Sequence, residues 1–322
     1  MQEQVAIIVP VYNDWASFAR LVEALDETAQ SLPDCSLHVL AVDDGSEDDF
    51  RASALSECAV KHLHSLRVAE LACNLGHQRA IAVGLVTAVQ QQSYDALIVM
   101  DADGEDDPAY VPQLLAEHRR NPGKIITAAR GERSEGLVFR MFYRLYKGMF
   151  RILAGQRIVF GNYALIPSSL AQRLIHRPEI WNNLAAAIIR SKVATLNLWT
   201  RRATRYQGSS KMNFVALILH GLSAMSVYSD VVFVRLLLFS LGLAGLALLG
   251  ILVVVAIRLG TDLAIPGWAS VMVAALGVLL AQSIALSFGG IFMVLQNRSA
   301  PAVIPAVIAP SYLKSMHTLC SP

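Results

Sequence analysis

Five carboxylates crowd into seven residues at Asp101, Asp103, Glu105, Asp106 and Asp107, with only Ala102 and Gly104 between them. The run Leu97-Ile98-Val99-Met100 ahead of them reads as a buried strand. Pro108 behind them opens a helical pattern, where a first-turn proline is tolerated. Carboxylates gathered at the end of a strand repel one another. An oxygen-seeking cation, Mg²⁺ or Mn²⁺, relieves that repulsion, and Mg²⁺ usually comes with the phosphates of a substrate. An acidic surface turn with Pro108 as helix start fits the same residues.

A second group suits phosphate chemistry. Arg201, Arg202, Arg205 and Lys211 lie on a loop with Gly208, Ser209 and Ser210, and arginine forks match phosphate oxygens. Basic residues beside a membrane segment would look the same, because cytoplasmic loops collect Lys and Arg. Between the two groups, residues 131–155 carry Arg133, Arg140, Arg144, Lys147 and Arg151 among Phe139, Phe142, Tyr143, Tyr146, Met149, Phe150 and Leu153. The apolar members recur at helical spacing, so this is a basic amphipathic helix. It fits an anionic membrane surface and equally an ordinary core-facing helix with a solvated basic side.

The elements that must position these groups alternate. Val5–Val11, Leu37–Val42, Leu66–Leu71, Asp95–Met100 and Lys124–Ala129 read as strands. Trp15–Leu32, Phe50–Ala59, His77–Gln91 and Pro108–Asn121 read as helices, with Asn13 or Asp14 as N-cap of the first. Farther on, Asn162–Ile166 and Val193–Trp199 read as strands, and Ser168–Ile175 and Glu179–Arg190 as helices. The alternation predicts a mostly parallel α/β sheet, in which ligands sit beyond the carboxyl ends of the strands. Tyr12-Asn13, Asp43-Asp44, Asn74 and Asp101–Asp103 all fall at such ends. His77 follows a turn and reads as a helix-start residue rather than a ligand. No G-x-G-x-x-G follows the first strand and no G-x-x-x-x-G-K-[ST] occurs, so neither a dinucleotide site nor a P-loop is supported.

At 54% hydrophobic and 16% charged, the 322-residue chain is too apolar for an ordinary soluble protein. The excess is local. Leu236–Ile257 and Leu263–Asn297 carry no charge, and Leu236–Ile257 and Trp268–Leu295 are long enough to cross a bilayer of about 30 Å. Asn213–Ser229 is shorter and polar on one side, which predicts an interfacial helix. Arg201, Arg202, Arg205, Lys211, Arg298 and Lys314 flank the hairpin against Arg258 in its loop, so both flanks are expected in the cytoplasm. The Met1-Gln2-Glu3-Gln4 start lacks the basic region of a signal peptide. Cys35, Cys58, Cys73 and Cys320 show no paired spacing and fit a reducing compartment. The net charge of +2 says nothing about nucleic acid, and no Lys/Arg stripe is interleaved with aromatics, so no nucleic-acid partner is expected.

Taken in order, Val9-Pro10-Val11-Tyr12-Asn13, Val42-Asp43-Asp44-Gly45-Ser46, Asn74-Leu75-Gly76 with Ala80 and Gly84, Met100-Asp101-Ala102-Asp103, then Arg202, Arg205, Gly208, Ser210 and Lys211 before two spans, resemble the polyprenyl-phosphate glycosyltransferases. These are family-2 enzymes of GT-A fold, related to dolichol-phosphate mannose synthase and to bacterial undecaprenyl-phosphate glucosyltransferases. The resemblance reaches to Leu295. It implies a Rossmann-like GT-A domain over 1–211, an interfacial helix over 212–230, two transmembrane helices over 231–297 and a cytoplasmic tail over 298–322. It implies a multi-pass protein of the inner (plasma) membrane, compatible with a homo-oligomer, that moves a sugar from a UDP- or GDP-sugar to a polyprenyl phosphate with inversion.

The resemblance also implies roles. Pro10, Tyr12, Asn13, Asp43 and Asp44 would hold base and ribose. Asp101 and Asp103 would sit at the donor diphosphate, and Asp101, Asp103 and Glu105 would serve Mg²⁺ or Mn²⁺. Arg130 stands where a family arginine contacts phosphate. Arg140 or Arg144, with Ser210 and Lys211, would meet the lipid phosphate, and Arg205 and Lys211 belong to the basic loop beside the reacting centre. One departure matters. The better-known branch has an Asp-x-Gly-Asp-Phe-Arg-like stretch where this chain has Val159-Phe160-Gly161-Asn162-Tyr163-Ala164, so Asn162 replaces a candidate base. Two rivals follow from it: transfer to another lipid or glycan, and an inactive nucleotide-sugar-binding membrane partner.

Overall fold

The computed structural model describes residues 2–50, 55, 60–130, 148–156, 160–201, 203–206, 221–261, 267–299 and 301–320. The chain divides into two compact units. One comprises residues 1–136, 158–227 and 302–322, the other residues 137–157 and 228–301.

The first unit is built on one sheet. Its strands are β1 (Glu3–Val11), β2 (Cys35–Asp43), β3 (Ser65–Leu71), β4 (Ala96–Val99), β5 (Ile125–Arg130), β6 (Phe160–Pro167), β7 (Thr195–Thr200) and β8 (Leu313–Cys320). They lie in the order β7-β5-β6-β4-β1-β2-β3-β8. β1 runs parallel to β2 and β4, β2 to β3, and β5 to β7. β6 and β8 run antiparallel to their neighbours, so the sheet is mixed.

Alternation along β1 sorts the core. Ala6 and Ile8 join a cluster with α2 (His77–Gln91), α4 (Ser168–Leu174) and α5 (Leu184–Arg190). Val5, Ile7 and Val9 join a second cluster with α1 (Trp15–Gln30) and α3 (Val111–Arg120). Two faces buried under helices explain why the central strands are apolar throughout and do not alternate with polar residues. Phe18, Leu21 and Leu25 of α1, spaced three and four apart, are all fully buried. Each contributes about 1.5–3 kcal/mol by leaving water.

Three segments differ from the sequence reading. Glu179–Arg190 is two pieces, a 3-10 turn over Pro178–Trp181 and then α5, because Asn183 caps α5 by accepting from Ala186 N at 2.9 Å. Pro108–Asn121 likewise starts as a 3-10 turn over Pro108–Tyr110. The expected tail is folded. Residues Pro305–Ile308 form a helical turn, α8, and β8 then adds an eighth strand along β3. Its Lys314, Ser315 and His317 side chains all meet Glu70, while Leu313 and Met316 pack on the core.

In the second unit, α6 (Ser229–Gly260) and α7 (Trp268–Ser299) each run 32 residues and pass the length and apolarity needed to cross a membrane. They pack on each other through small residues. Ser240 Oγ and Ser287 Oγ are 2.7 Å apart and buried, and Ala244 and Ala247 are buried beside them on α6. Outward faces are Leu-, Val- and Phe-rich and exposed. Residues 148–154 are helical, while the rest of the expected basic helix, and most of the expected interfacial helix, lie outside the described residues.

Candidate active site

The carboxyl ends of β1, β2 and β4 bring the polar groups together. After β2, Asp43 Oδ1 accepts from Ser46 N at 2.9 Å, closing the turn. Asp44 is 3% exposed, and its two oxygens accept from Leu75 N at 2.7 Å and Gly76 N at 3.0 Å. Burial raises the Asp44 pKa, and those two hydrogen bonds act against the rise. Gly45 between them has φ +71°, and a Cβ there would stand 2.7 Å from Asn74 N, so two backbones meet where only glycine fits. Asn13 adopts φ 48° and braces the same loop. Its N–H donates to Ser46 Oγ at 3.0 Å, and its Oδ1 accepts from Glu47 N at 2.8 Å. Asp14 stands at the N-cap of α1 without a side-chain capping bond.

These loops enclose a cavity of about 290 Å³ lined by Pro10, Val11, Tyr12, Asp44, Asn74, Gly76 and His77. Tyr12 is 47% exposed at its mouth. Asp43 and Asn13 therefore brace the cavity and do not line it.

The five acids of the second group separate by role. Asp106, 2% exposed, accepts from Asp101 N at 3.0 Å, and Asp107 accepts from Ala109 N at 2.9 Å at the head of the 3-10 turn. Both are architecture. Asp103 Oδ1 accepts from Glu105 N at 2.9 Å, and its Oδ2 meets Arg205 Nη2 at 2.5 Å. Glu105 Oε1 lies 3.6 Å from Arg205 Nε. Burial, then the Asp101 and Glu105 charges, raise the Asp103 pKa against the pull of Arg205. The segment carrying Arg205 is docked on this turn. Tyr206 N donates to Asp103 O at 2.9 Å, Ala203 N donates to Glu105 O at 3.2 Å, and the Tyr206 ring fills the space over Gly104.

Such crowding fits a cation. Among the described residues no three His, Cys, Asp or Glu side chains are placed to hold a metal together. Glu105 thus turns to Arg205 here and does not complete a trio with Asp101 and Asp103. A two-carboxylate site matches the way Mg²⁺ is held, by one or two carboxylates plus substrate phosphates and water.

His77, read from sequence as a helix start, opens α2 as expected and also belongs to the site. Its Nε2 lies 3.3 Å from Asp101 Oδ1 and 2.9 Å from Asn162 Nδ2. Burial pushes the imidazole pKa down, but Asp101, Asp44 and Asp103 around it outweigh that, and the net shift is upward. Asn162, on β6, is held from the other side by Gln78. Nothing in the Gly76-His77-Gln78 spacing distinguishes a helix start from a ligand-facing turn. The turn after Asn74-Leu75, at a strand's carboxyl end, was the available signal. Arg130 ends β5 opposite Thr200. Arg140, Arg144, Ser210 and Lys211 lie outside the described residues.

The chain is similar to known proteins. The glycosyl transferase family 2 model matches residues 6–177. An uncharacterized glycosyltransferase, YkcC, of Bacillus subtilis is 26% identical over 286 residues, 84% of this chain and 82% of that protein. The undecaprenyl-phosphate 4-deoxy-4-formamido-L-arabinose transferase of Salmonella choleraesuis is 25% identical over 282 residues, covering 83% and 80%. Among solved structures, mannosyl-3-phosphoglycerate synthase from Rubrobacter xylanophilus superposes with a TM-score of 0.48 at 16% identity, over 70% of this chain and 72% of that one. With a sheet carrying its polar groups beyond the carboxyl ends, and a family model spanning more than half its length, the chain belongs to glycosyl transferase family 2 and has the GT-A fold.

Proposed function

We propose that the protein transfers a sugar from a UDP- or GDP-sugar to a polyprenyl phosphate at the cytoplasmic face of the inner membrane. The observation that carries this reading is the insertion of two apolar helices between β7 and β8 of one sheet. An acid turn suited to a nucleoside diphosphate thereby belongs to a chain anchored where a lipid acceptor lies. The arabinose transferase relative, whose acceptor is undecaprenyl phosphate, matches across most of both chains and supports the same acceptor class.

The residues divide the work. The cavity of Pro10, Tyr12 and Asp44 receives base and ribose. Asp101 and Asp103 would hold Mg²⁺ or Mn²⁺, which supplies charge neutralisation on the departing diphosphate. Arg205, paired with Asp103 in this structure, has the fork to meet phosphate once Asp103 is engaged elsewhere. The acceptor's phosphate oxygen bonds to the anomeric carbon, and the bond from that carbon to the donor's diphosphate breaks. The nucleoside diphosphate leaves with the electron pair, and one displacement inverts the centre. No base is needed, since a phosphate monoester has a second pKa of about 6 and is already largely dianionic at neutral pH. Holding donor and acceptor together supplies the rest.

Connectivity supports placing both flanks of the hairpin on one side. β7 and β8 share one sheet, so the chain that leaves between them returns to the same side, as two crossings require. The Lys and Arg flanks favour the cytoplasm for that side. Membranes containing the protein, incubated with a panel of radiolabelled nucleotide sugars and then extracted for lipid, should yield a labelled, acid-labile polyprenyl-phosphate sugar. Label confined to glycan or protein would sink the acceptor assignment.

A further inference from the structure

The N–H of Leu184 is one of the helix-end donors of α5 that has no partner within its own helix. It donates to Gln78 Oε1 at 2.9 Å. A backbone N–H is a donor in every circumstance, so the polarity of what lies beyond it follows. Gln78 turns its carbonyl to Leu184 and its NH₂ to Asn162, where Nε2 donates to Oδ1 at 3.0 Å. Asn162 thereby turns its Oδ1 toward Gln78. It faces His77 with its NH₂, Nδ2 lying 2.9 Å from Nε2, on the side where His77 meets Asp101. Amide oxygens and nitrogens are assigned from such networks, and here the network starts from a group that cannot be reversed.

Two neighbours of His77 Nε2 make opposite demands. Asn162 offers a hydrogen, whereas Asp101 Oδ1 at 3.3 Å asks for one. The shorter contact is the one anchored to Leu184. An asparagine NH₂ has two hydrogens, one directed at His77 and one with no partner among the described residues.

We propose that Gln78 is a positioning residue for transfer: it holds Asn162 as a hydrogen-bond donor at the reacting edge, so that the site takes an anionic phosphate oxygen and disfavours a neutral hydroxyl. A hydroxyl at this place can accept only a neutral hydrogen bond from Asn162, whose Oδ1 is turned to Gln78. A phosphate oxygen is charged and accepts a stronger, charge-assisted one from the same NH₂. The proposal rests on the lipid-phosphate reading and gives it a selecting residue that motif spacing does not mark.

The test uses the full chain in detergent micelles with Mn²⁺, and farnesyl phosphate and farnesol as probes, with binding followed by calorimetry. The parent should bind farnesyl phosphate at least about tenfold more tightly than farnesol, the weight of hydrogen bonds to a charged group. Gln78→Met keeps the length and removes the bonds. Gln78→Glu keeps the bond from Leu184 but can only accept from Asn162, and so turns that amide around. Both should narrow the ratio to about threefold or less, since one charge-assisted hydrogen bond is lost or misdirected. A purely structural role would weaken both probes alike and leave the ratio unmoved. An unchanged ratio in Gln78→Met overturns the role of Gln78 and leaves the acceptor reading standing, even if Gln78→Glu is affected, since added charge alone would explain that. A parent without preference for the phosphate overturns both.

Discussion

Asp43 ends β2 and Asp44 follows it, while Asp101 and Asp103 follow β4, two strand positions away in the same sheet. In sequence the pairs look alike. In the structure, Asp43 and Asp44 accept from the backbone N–H groups of Ser46, Leu75 and Gly76. Asp103 keeps one backbone bond, from Glu105, and gives its other oxygen to Arg205, while Asp101 faces His77. A backbone donor cannot leave without unmaking its turn, whereas a side chain can swing away and be replaced by a ligand. The first pair is frame and the second is exchangeable. What decides the role of an acid here is the kind of partner it has.

The sharpest way to break that comparison is Asp103→Ala. Transfer should fall about a thousandfold or more, roughly 4 kcal/mol of transition-state stabilisation. The melting temperature should hold, because ionised Asp103 is crowded by burial and by Asp101 and Glu105. EDTA should reproduce the loss of transfer in the parent. Retained activity in either case would remove the acid pair from the chemistry.

A polar group at the opposite ends of the strands provides a contrast without any ligand. His38 is 3% exposed, with Ser65 Oγ on one ring nitrogen and Gln4 Oε1 on the other. Burial first, and then the His64 and Arg67 charges, lower its pKa from 6.5 to about 4. The unfolded chain therefore takes up a proton at a higher pH than the folded one. Stability present above pH 6.5 is lost as pH falls toward 4, by on the order of 3 kcal/mol. Denaturant melts across that window should show the loss in the parent, and a flatter profile in His38→Gln.

Asp44→Ala should lose stability where Asp103→Ala does not. Leaving the Leu75 and Gly76 N–H groups without their acceptor costs about 2 kcal/mol, read as a lower denaturation midpoint. A stable Asp44→Ala protein would erase the distinction between frame and exchangeable acids.

The smallest effect belongs to Glu70, whose pKa falls from 4.5 to about 2 through Lys314 first, then Ser315 and His317, against some burial. Its contribution is present above pH 4.5 and fades as pH drops toward 2. Because the pair is at the surface, Glu70→Gln should cost less than about 1 kcal/mol. The change should appear as faster amide exchange confined to β8.

Much of this was legible in the chain itself. Strands buried on both faces leave unbroken apolar runs, as at Val5–Val11, and a membrane-length helix needs only length and lack of charge. Both signals are local. β8 carries no such signal. Residues Leu313–Cys320 alternate weakly because an edge strand is half exposed, and what recruits them is the open side of β3, far away in sequence. The split of Glu179–Arg190 was hidden for another reason. Asn182-Asn183 inside a helical pattern is a solvated face or a cap depending on what surrounds it, and here Asn183 caps. His77 and Gln78 were missed because their roles come from Asp101, Asn162 and Leu184, brought together only by the sheet and the helices packed on it.

The return of β8 also sets an order in time. β3 emerges from the ribosome early, and its outer edge stays unpaired while both apolar helices are made, roughly ten seconds or more at about 5–20 residues per second. An unpaired edge is a template for wrong partners. Until Leu313–Cys320 is laid along β3, that edge stays open to chaperones and proteases. Completion of the sheet therefore reports that the chain has been made as far as β8.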